Sequence, residues 1–292
     1  MKINMYDYFS RLPKDETLYY FPNPGNGGDS LIACATFQML DKYKLKYCTI
    51  NEKSFDSSGK TILLPSAGNF VGYYSNIRNF IQKYHSAAKK IIILPASISD
   101  HEEILKELGR NVDIITREEK SYEHVKSNAQ NSNVYIADDM ALHLDVQQVL
   151  AQFPIVFSLL MTATIPSRRI QKGNYFKVQQ HFKDLTTHRS HRTLSAFRTD
   201  KERTKIAIPD DNLDIAEIFA YGTTKKRALY ASYSLLNFIN TYDLIKTSRL
   251  HTCIAAALLQ KKVEFYPNNY FKCEAVYQFS LKDRFPNVKW MG

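Results

Sequence analysis

Arg249 and His251 stand two residues apart in the segment Ile245-Lys-Thr-Ser-Arg-Leu-His-Thr-Cys-Ile-Ala-Ala-Ala-Leu-Leu-Gln260, where a strand-like run gives way to an apolar helix. In open α/β sheets ligands bind beyond the carboxyl ends of the strands, and a helix N-terminus there offers backbone N–H groups to an anion. Arginine adds a permanent positive charge, and histidine a side chain of a type that titrates near neutrality. The pair suits an anionic substrate that needs proton transfer. Taken alone it also fits a structural histidine beside a surface ion pair, so other segments have to decide.

Several segments fall at comparable junctions. The run Leu18–Phe21 leads into Asn23-Pro-Gly-Asn26-Gly27-Gly28-Asp29-Ser30 and then the apolar stretch Leu31–Leu40. Glycines allow close approach of backbone to a ligand, and Asp29 or Ser30 can cap a helix. This loop has neither the Lys-Ser/Thr ending of a P-loop nor the spacing G-x-G-x-x-G, so a nucleoside-triphosphate or NAD site is not supported. A second turn, Pro65-Ser-Ala-Gly68-Asn69, also follows an apolar strand, and the two loops are expected on one edge of a sheet. Further strand ends carry Arg117-Glu118 with Ser121, and Asp138-Asp139. Beyond them lie Arg198-Thr-Asp200-Lys-Glu202, Ser248 beside Arg249, and Lys272. An arginine held by Asp200 or Glu202 would be oriented to grip a carboxylate or phosphate with two parallel bonds. Each cluster has a plainer reading as a helix cap, a tight turn or a solvated charge.

The elements that must position these residues are short apolar runs alternating with amphipathic stretches, the pattern of a parallel sheet wrapped by helices. Strands are predicted at 18–21, 47–50, 61–64, 90–94, 112–115 and 134–136, and helices near 30–43, 73–86, 101–109, 118–129 and 139–151. Strand order is not legible. Beyond 190, strands are predicted at 193–197, 242–246 and 263–266 and helices at 225–241 and 250–259. The tail 273–285 reads as a weak helix that would pack back on the first lobe. The expected organisation is an N-terminal lobe over 1–190, carrying a basic interlobe segment at about 155–190, and a small C-terminal lobe over 191–292.

The chain has 292 residues, 44% hydrophobic and 23% charged, which suits two modest α/β units. Four scattered cysteines without a C-x-x-C pair, and no apolar leader, lead us to expect a reducing, cytoplasmic setting. The net charge is +10, and residues 168–205 hold eleven Lys/Arg against three Asp/Glu, together with His181, His188 and His191. Such a field attracts phosphates on nucleic acid, anionic headgroups or a diphosphate-linked substrate. No helix-turn-helix, zinc-finger or single-strand-binding pattern accompanies it, which argues against nucleic acid.

Taken in order, Gly25-Asn-Gly-Gly-Asp29, Gly68-Asn69-Phe, Ile92-Ile-Leu-Pro95, Arg117-Glu118 with Ser121, Asp138-Asp139, Arg198-Thr-Asp-Lys-Glu202, Ser248-Arg-Leu-His251 and Lys272 resemble the polysaccharide pyruvyl transferase family over residues 17–275. The resemblance implies two Rossmann-like lobes like those of GT-B glycosyltransferases, with the active site in the interlobe cleft. It implies transfer of the enolpyruvyl unit of phosphoenolpyruvate (PEP) to a sugar as a cyclic pyruvate ketal, with release of phosphate. Arg249 and His251 would then be catalytic, and Arg198, Arg117, Lys272 and Ser248 would bind PEP. Asn26, Gly27, Gly28, Asp29, Gly68 and Asn69 would form the loops facing acceptor or donor. No metal or cofactor is expected beyond PEP as co-substrate.

The chain departs from the family pattern in its short second lobe and its basic, histidine-rich stretch at 168–192. The expected acceptor is a sugar of a bacterial surface polysaccharide, still attached to a polyprenyl diphosphate at the inner face of the plasma membrane. The basic stretch would hold the protein against that anionic surface. Two other readings stay open: a GT-B glycosyltransferase using a nucleotide sugar, and a non-catalytic module binding nucleic acid or anionic glycan. A ribose-binding pattern after Arg198 would favour the first, and none is evident.

Overall fold

A computed structural model describes residues 1–50, 55–65, 68–152 and 192–292. Six parallel strands form the first sheet: Thr17–Tyr20 (β1), Lys46–Thr49 (β2), Thr61–Leu64 (β3), Lys90–Ala96 (β4), Val112–Thr116 (β5) and Asn133–Ile136 (β6). Their order is β2-β1-β3-β4-β5-β6. Residues 61–64 and 91–96 are buried without alternation, the continuous apolar run that a parallel strand covered on both faces demands. Ile77, Phe80, Ile81 and Tyr84 fall at helical spacing in Asn76–Tyr84, so one face of this helix packs on Ile62, Leu64, Ile91 and Ile93.

The second sheet is smaller: Thr193–Ala196 (β7), Leu244–Thr247 (β8), Lys262–Phe265 (β9) and Val288–Trp290 (β10), all parallel, in the order β10-β9-β8-β7. The α/β class with two parallel sheets is the architecture expected from the alternating pattern. Three elements had no sequence signal, the short helices Met5–Ser10 and Ile215–Ile218 and the edge strand β10. Strand predictions agree with the observed limits to within about two residues, and the broad pattern at 139–151 resolves into a 3-10 turn, Met140–His143, and a helix, Val146–Ala151.

By compactness the chain divides into one unit of Met1–Asn23 with Ala35–His143, and another of Pro24–Cys34 with Leu144–Gly292. The expected boundary near 190 is thus drawn at 144, and the helix Val146–Ala151 packs on Lys225–Asn240 in the second unit. The glycine loop and the start of the helix Gly27–Lys42 also belong to the second unit, while that helix continues into the first. The tail pairs within the second unit through β10 and β9. Most of the basic stretch, including His181, His188 and His191, lies outside the described residues. Among the described residues, no helix is long and apolar enough to cross a membrane.

At the carboxyl edge of the first sheet, side chains from three strand ends tie together. Arg117, fully buried after β5, donates from Nη1 to Asp139 Oδ2 at 2.6 Å and from Nε to Ser97 Oγ at 2.9 Å. Asp139 also accepts from Ala141 N at 2.8 Å. Glu118 caps the helix Glu119–Asn128 by accepting from Ser121 N at 2.9 Å and from the Ser121 hydroxyl. Burial pushes the Glu118 carboxyl above its ordinary pKa, against these hydrogen bonds. Removing one partner of a buried ion pair leaves an uncompensated charge and costs about 3–5 kcal/mol. Asp139→Ala is therefore expected to lower unfolding stability by about that amount in chemical denaturation; a loss below about 1 kcal/mol would show that Arg117 is not held in place by Asp139.

Candidate active site

In the second unit the register Ala196↔Thr247↔Phe265 aligns the ends of three adjacent parallel strands. Arg198 follows β7 by two residues and Arg249 follows β8 by two, so both emerge at the same level of the sheet edge. Hydroxyls lock this level. Thr247 Oγ1 donates to Ala196 O at 2.7 Å and accepts from Arg249 N at 3.0 Å, and Ser248 Oγ accepts from Arg198 N at 3.1 Å. Beyond β9, Tyr266 N donates to Thr247 O at 2.8 Å, which brings the loop ending at Lys272 to the same edge.

Arg249 occupies the cap position of the helix Leu250–Leu258 and is almost wholly buried. Asp214 holds it with two parallel bonds, from Nε at 2.8 Å and Nη2 at 2.5 Å. Glu217 Oε1 lies 3.2 Å from Nη2, and Asp200 Oδ2 lies 3.3 Å from Nη1. Burial works against the charged guanidinium, but Asp214 prevails and raises the Arg249 pKa. Arg198 binds Asp200 Oδ1 at 2.6 Å and Glu202 Oε2 at 2.8 Å, and Lys272 Nζ donates to the same Glu202 oxygen at 2.7 Å. The result is a continuous network of three cations and four carboxylates. Its acids differ in access: Asp214 and Glu202 are 4% and 2% exposed, Asp200 and Glu217 each 35%.

The glycine loop packs against this edge. Asn26 Nδ2 donates to Glu217 Oε1 at 3.4 Å, while Asn26 Oδ1 accepts from Gly28 N at 2.8 Å. Asp29 Oδ2 accepts from Asn26 N at 2.9 Å, so Asp29 shapes the turn itself. A Cβ on Gly28 would stand 2.7 Å from His251 Nδ1, and one on Gly27 would stand 3.1 Å from Ala216 O. Gly28 is thus required because the imidazole lies directly on its backbone.

Of the residues expected from sequence, Asn26, Gly27, Gly28, Asp29, Arg198, Ser248, Arg249, His251 and Lys272 come together in the second unit. Gly68, Asn69 and Arg117 belong to the first. There Asn69 donates to Asn23 Oδ1 at 2.6 Å, and its own Oδ1 has no hydrogen-bond partner among the described residues. Arg117 Nη2 likewise has none, which leaves that one nitrogen for any ligand of the first unit. Residues 66 and 67 of the second loop lie outside the described residues. Sequence reading missed Asp214 and Glu217; the one local hint is their spacing of three around the short helix Ile215–Ile218, which turns both toward one neighbour.

The family model of polysaccharide pyruvyl transferases matches residues 26–269. The chain belongs to that family. A curated relative, "Putative pyruvyl transferase EpsO" of Bacillus subtilis (strain 168), is 25% identical over 279 residues, covering 89% of this chain and 84% of the relative. A crystal structure of a functionally uncharacterised protein from Klebsiella pneumoniae subsp. pneumoniae is similar at a TM-score of 0.77 and 28% identity, covering 99% of each chain.

Two outcomes follow from the geometry. Gly28→Ala forces a methyl group onto the His251 ring, so its turnover is expected to fall at least about tenfold while circular dichroism stays unchanged, because the neighbour must move from its set position. Wild-type turnover would show that the contact does not position His251. Asp200 feels burial, which raises its pKa, but the hydrogen bond from Arg198 and the charges of Arg249 and Arg198 outweigh it and bring it from 3.8 to about 2. A depressed carboxylate contributes stability that is present above its unfolded pKa and is lost as pH falls through the folded value. Asp200→Asn is expected to flatten the stability profile between about pH 4 and pH 2, measured by urea denaturation across that range; an unchanged slope would remove Asp200 from the acid response.

Proposed function

We propose that this protein transfers the enolpyruvyl unit of PEP to two hydroxyls of a sugar in a bacterial surface polysaccharide or its polyprenyl-diphosphate-linked precursor, forming a cyclic pyruvate ketal and releasing phosphate. Membership of the family supports pyruvyl transfer to a polysaccharide. The observation that carries the rest is the grouping of Arg198, Arg249 and Lys272 at the ends of three neighbouring strands, with His251 seated on the glycine loop.

The chemistry needs a proton on the methylene carbon of PEP, which His251 gives as general acid. The adjacent carbon becomes oxocarbenium-like, and a sugar oxygen bonds to it and passes its proton to the deprotonated histidine. The second hydroxyl then displaces phosphate at that carbon: a second C–O bond forms, the bond to the phosphate oxygen breaks, and the last proton leaves with the phosphate. Arg249 and Arg198 hold carboxylate and phosphate oxygens, and Lys272 adds a point charge. An incoming anion takes the places of the two accessible carboxylates, Asp200 and Glu217. Asp214 remains, keeping Arg249 aimed at the sheet edge.

A binding titration with PEP, UDP and GDP tests the donor. Saturable PEP binding that is weakened in Arg249→Lys, without nucleotide binding, is the expected result. Nucleotide binding without PEP binding would replace this reading with a nucleotide-sugar glycosyltransferase. His251→Ala is expected to remain folded and to lose about a hundred- to ten-thousandfold in phosphate release, the usual contribution of a general acid. Near-normal turnover would remove His251 from the proton transfer.

A further inference from the structure

Parallel strands covered on both faces read as continuous apolar runs. At its amino ends the first sheet keeps this rule on one face only. Ile62, Leu64, Ile91, Ile93, Val112 and Ile114 lie in the core cluster with the helix Asn76–Tyr84, and Val134 packs against it. Side chains alternate along a strand, so Thr61, Lys90, Ile92, Asp113, Asn133 and Tyr135 stand on the opposite face. All of these except Asn133 line a cavity of about 670 Å³, together with residues of the N-terminal segment 1–13. Small-molecule sites have that size. The segment is tied across the cavity without filling it: Ile3 N donates to Ile136 O at 2.9 Å beside β6, and Tyr8 OH donates to Asp113 Oδ2 at 2.6 Å. Its six-residue helix, Met5–Ser10, is about 9 Å long, while β3 to β6 spread over about 14 Å. Every lining residue belongs to the first unit, at the strand ends opposite those that carry Asn69 and Arg117. The active-site residues of the second unit take no part in it.

The balance of donors and acceptors selects the ligand. Asp113 already accepts three bonds, from Tyr8, from Lys90 Nζ at 2.6 Å and from Asn133 Nδ2 at 2.8 Å. Glu16 accepts from Lys89 and from Thr61 Oγ1 at 3.3 Å. An ammonium has three N–H donors and a guanidinium five. Lys89 and Lys90 each use one on these acids, and the Arg11 guanidinium meets no acceptor among the described residues. Lys2 is a fourth cation of the lining, and Asp7, which is exposed, is its remaining acid. Charged donors are thus in surplus, beside a wall of Ile3, Leu12, Pro13 and Ile92. We infer that the cavity is a second binding site, for a small molecule that carries a carboxylate or phosphate on an apolar body. Lys89, Lys90 and Arg11 hold the anionic oxygens, and the apolar wall takes the body. The inference stands apart from the pyruvyl-transfer reading and uses none of its residues.

Methyl NMR on the Ile- and Leu-labelled full chain tests this, with phenyl phosphate, benzoate, inorganic phosphate and neutral benzyl alcohol as probes. The methyl groups of Ile3, Leu12 and Ile92 report on the cavity itself. They are expected to shift saturably with phenyl phosphate or benzoate, at a Kd of about 1 mM or below, and the tighter probe names the oxyanion. The double variant Arg11→Ala/Lys89→Ala is expected to weaken this binding at least about tenfold, and Lys14→Ala, exposed but outside the lining, by less than about twofold. Both residues of the double variant are exposed, and Arg11→Ala alone, which removes no contact with the described residues, is expected to weaken binding at least about threefold with circular dichroism unchanged. An equal loss in Lys14→Ala would reduce the effect to diffuse attraction and overturn the inference. Benzyl alcohol bound as tightly as benzoate would remove the anion, and inorganic phosphate bound as tightly as phenyl phosphate would remove the apolar body. Shifts confined to Leu250 and Ile254 of the second unit, or no saturable shift with any probe, would also overturn it.

Discussion

The paired bonds between Arg249 and Asp214 are the constraint around which the second unit's sheet edge is organised. Both side chains are 4% exposed, and burying two charges offsets much of what their attraction returns. Such a pair is a weak source of stability and a strong source of orientation. Asp214 does more than neutralise: its Oδ2 also accepts from Thr199 N at 3.1 Å and Thr199 Oγ1 at 3.0 Å, which fastens the segment before Ile215–Ile218 to the end of β7. The guanidinium is thereby held in one plane, with Nη1 and Nη2 directed at the two carboxylates that solvent can reach.

That asymmetry among the acids reconciles a conflict in charge. Three cations face four carboxylates, and the pairs are not equally fixed. Glu202 joins Arg198 to Lys272 and is itself buried, as Asp214 is, so these two set positions. Asp200 and Glu217 are partly exposed, so theirs are the charge-assisted bonds that water can reach.

The glycine loop supplies the other boundary of the site through close packing and one hydrogen bond. Gly27 and Gly28 are packed against Ala216 and His251, so a side chain at either position meets another group before it meets any ligand. Asn26 connects this loop to Glu217, and Glu217 connects it to Arg249. Loop, acid, arginine and histidine thus form a chain of contacts in which each member limits where the next can lie. Ser30 closes the arrangement from behind, donating to Gly222 O at 3.2 Å and accepting through its carbonyl from Ser232 at 3.3 Å.

Sequence by itself determined every strand but the edge strand β10, and the position of the Arg249–His251 segment. Ile91–Leu94 is legible because a strand buried on both faces must be apolar throughout, and a strand-to-helix junction is written within about ten consecutive residues. Order of strands was not legible, since the apolar runs around Ile62, Ile92 and Ile114 would fit several neighbours equally well. The assignment of residues 24–34 to the second unit was hidden for a related reason: a helix has the same local pattern whichever body its first turns join. Asp214 and Glu217 were not read as site residues because their spacing of three is a weak mark until the arginine they meet is in place. Asp214 meets its arginine across 35 residues of chain. Local chemistry and periodicity are short-range properties of a chain, whereas charge pairing and the satisfaction of buried polar groups are decided by the tertiary structure.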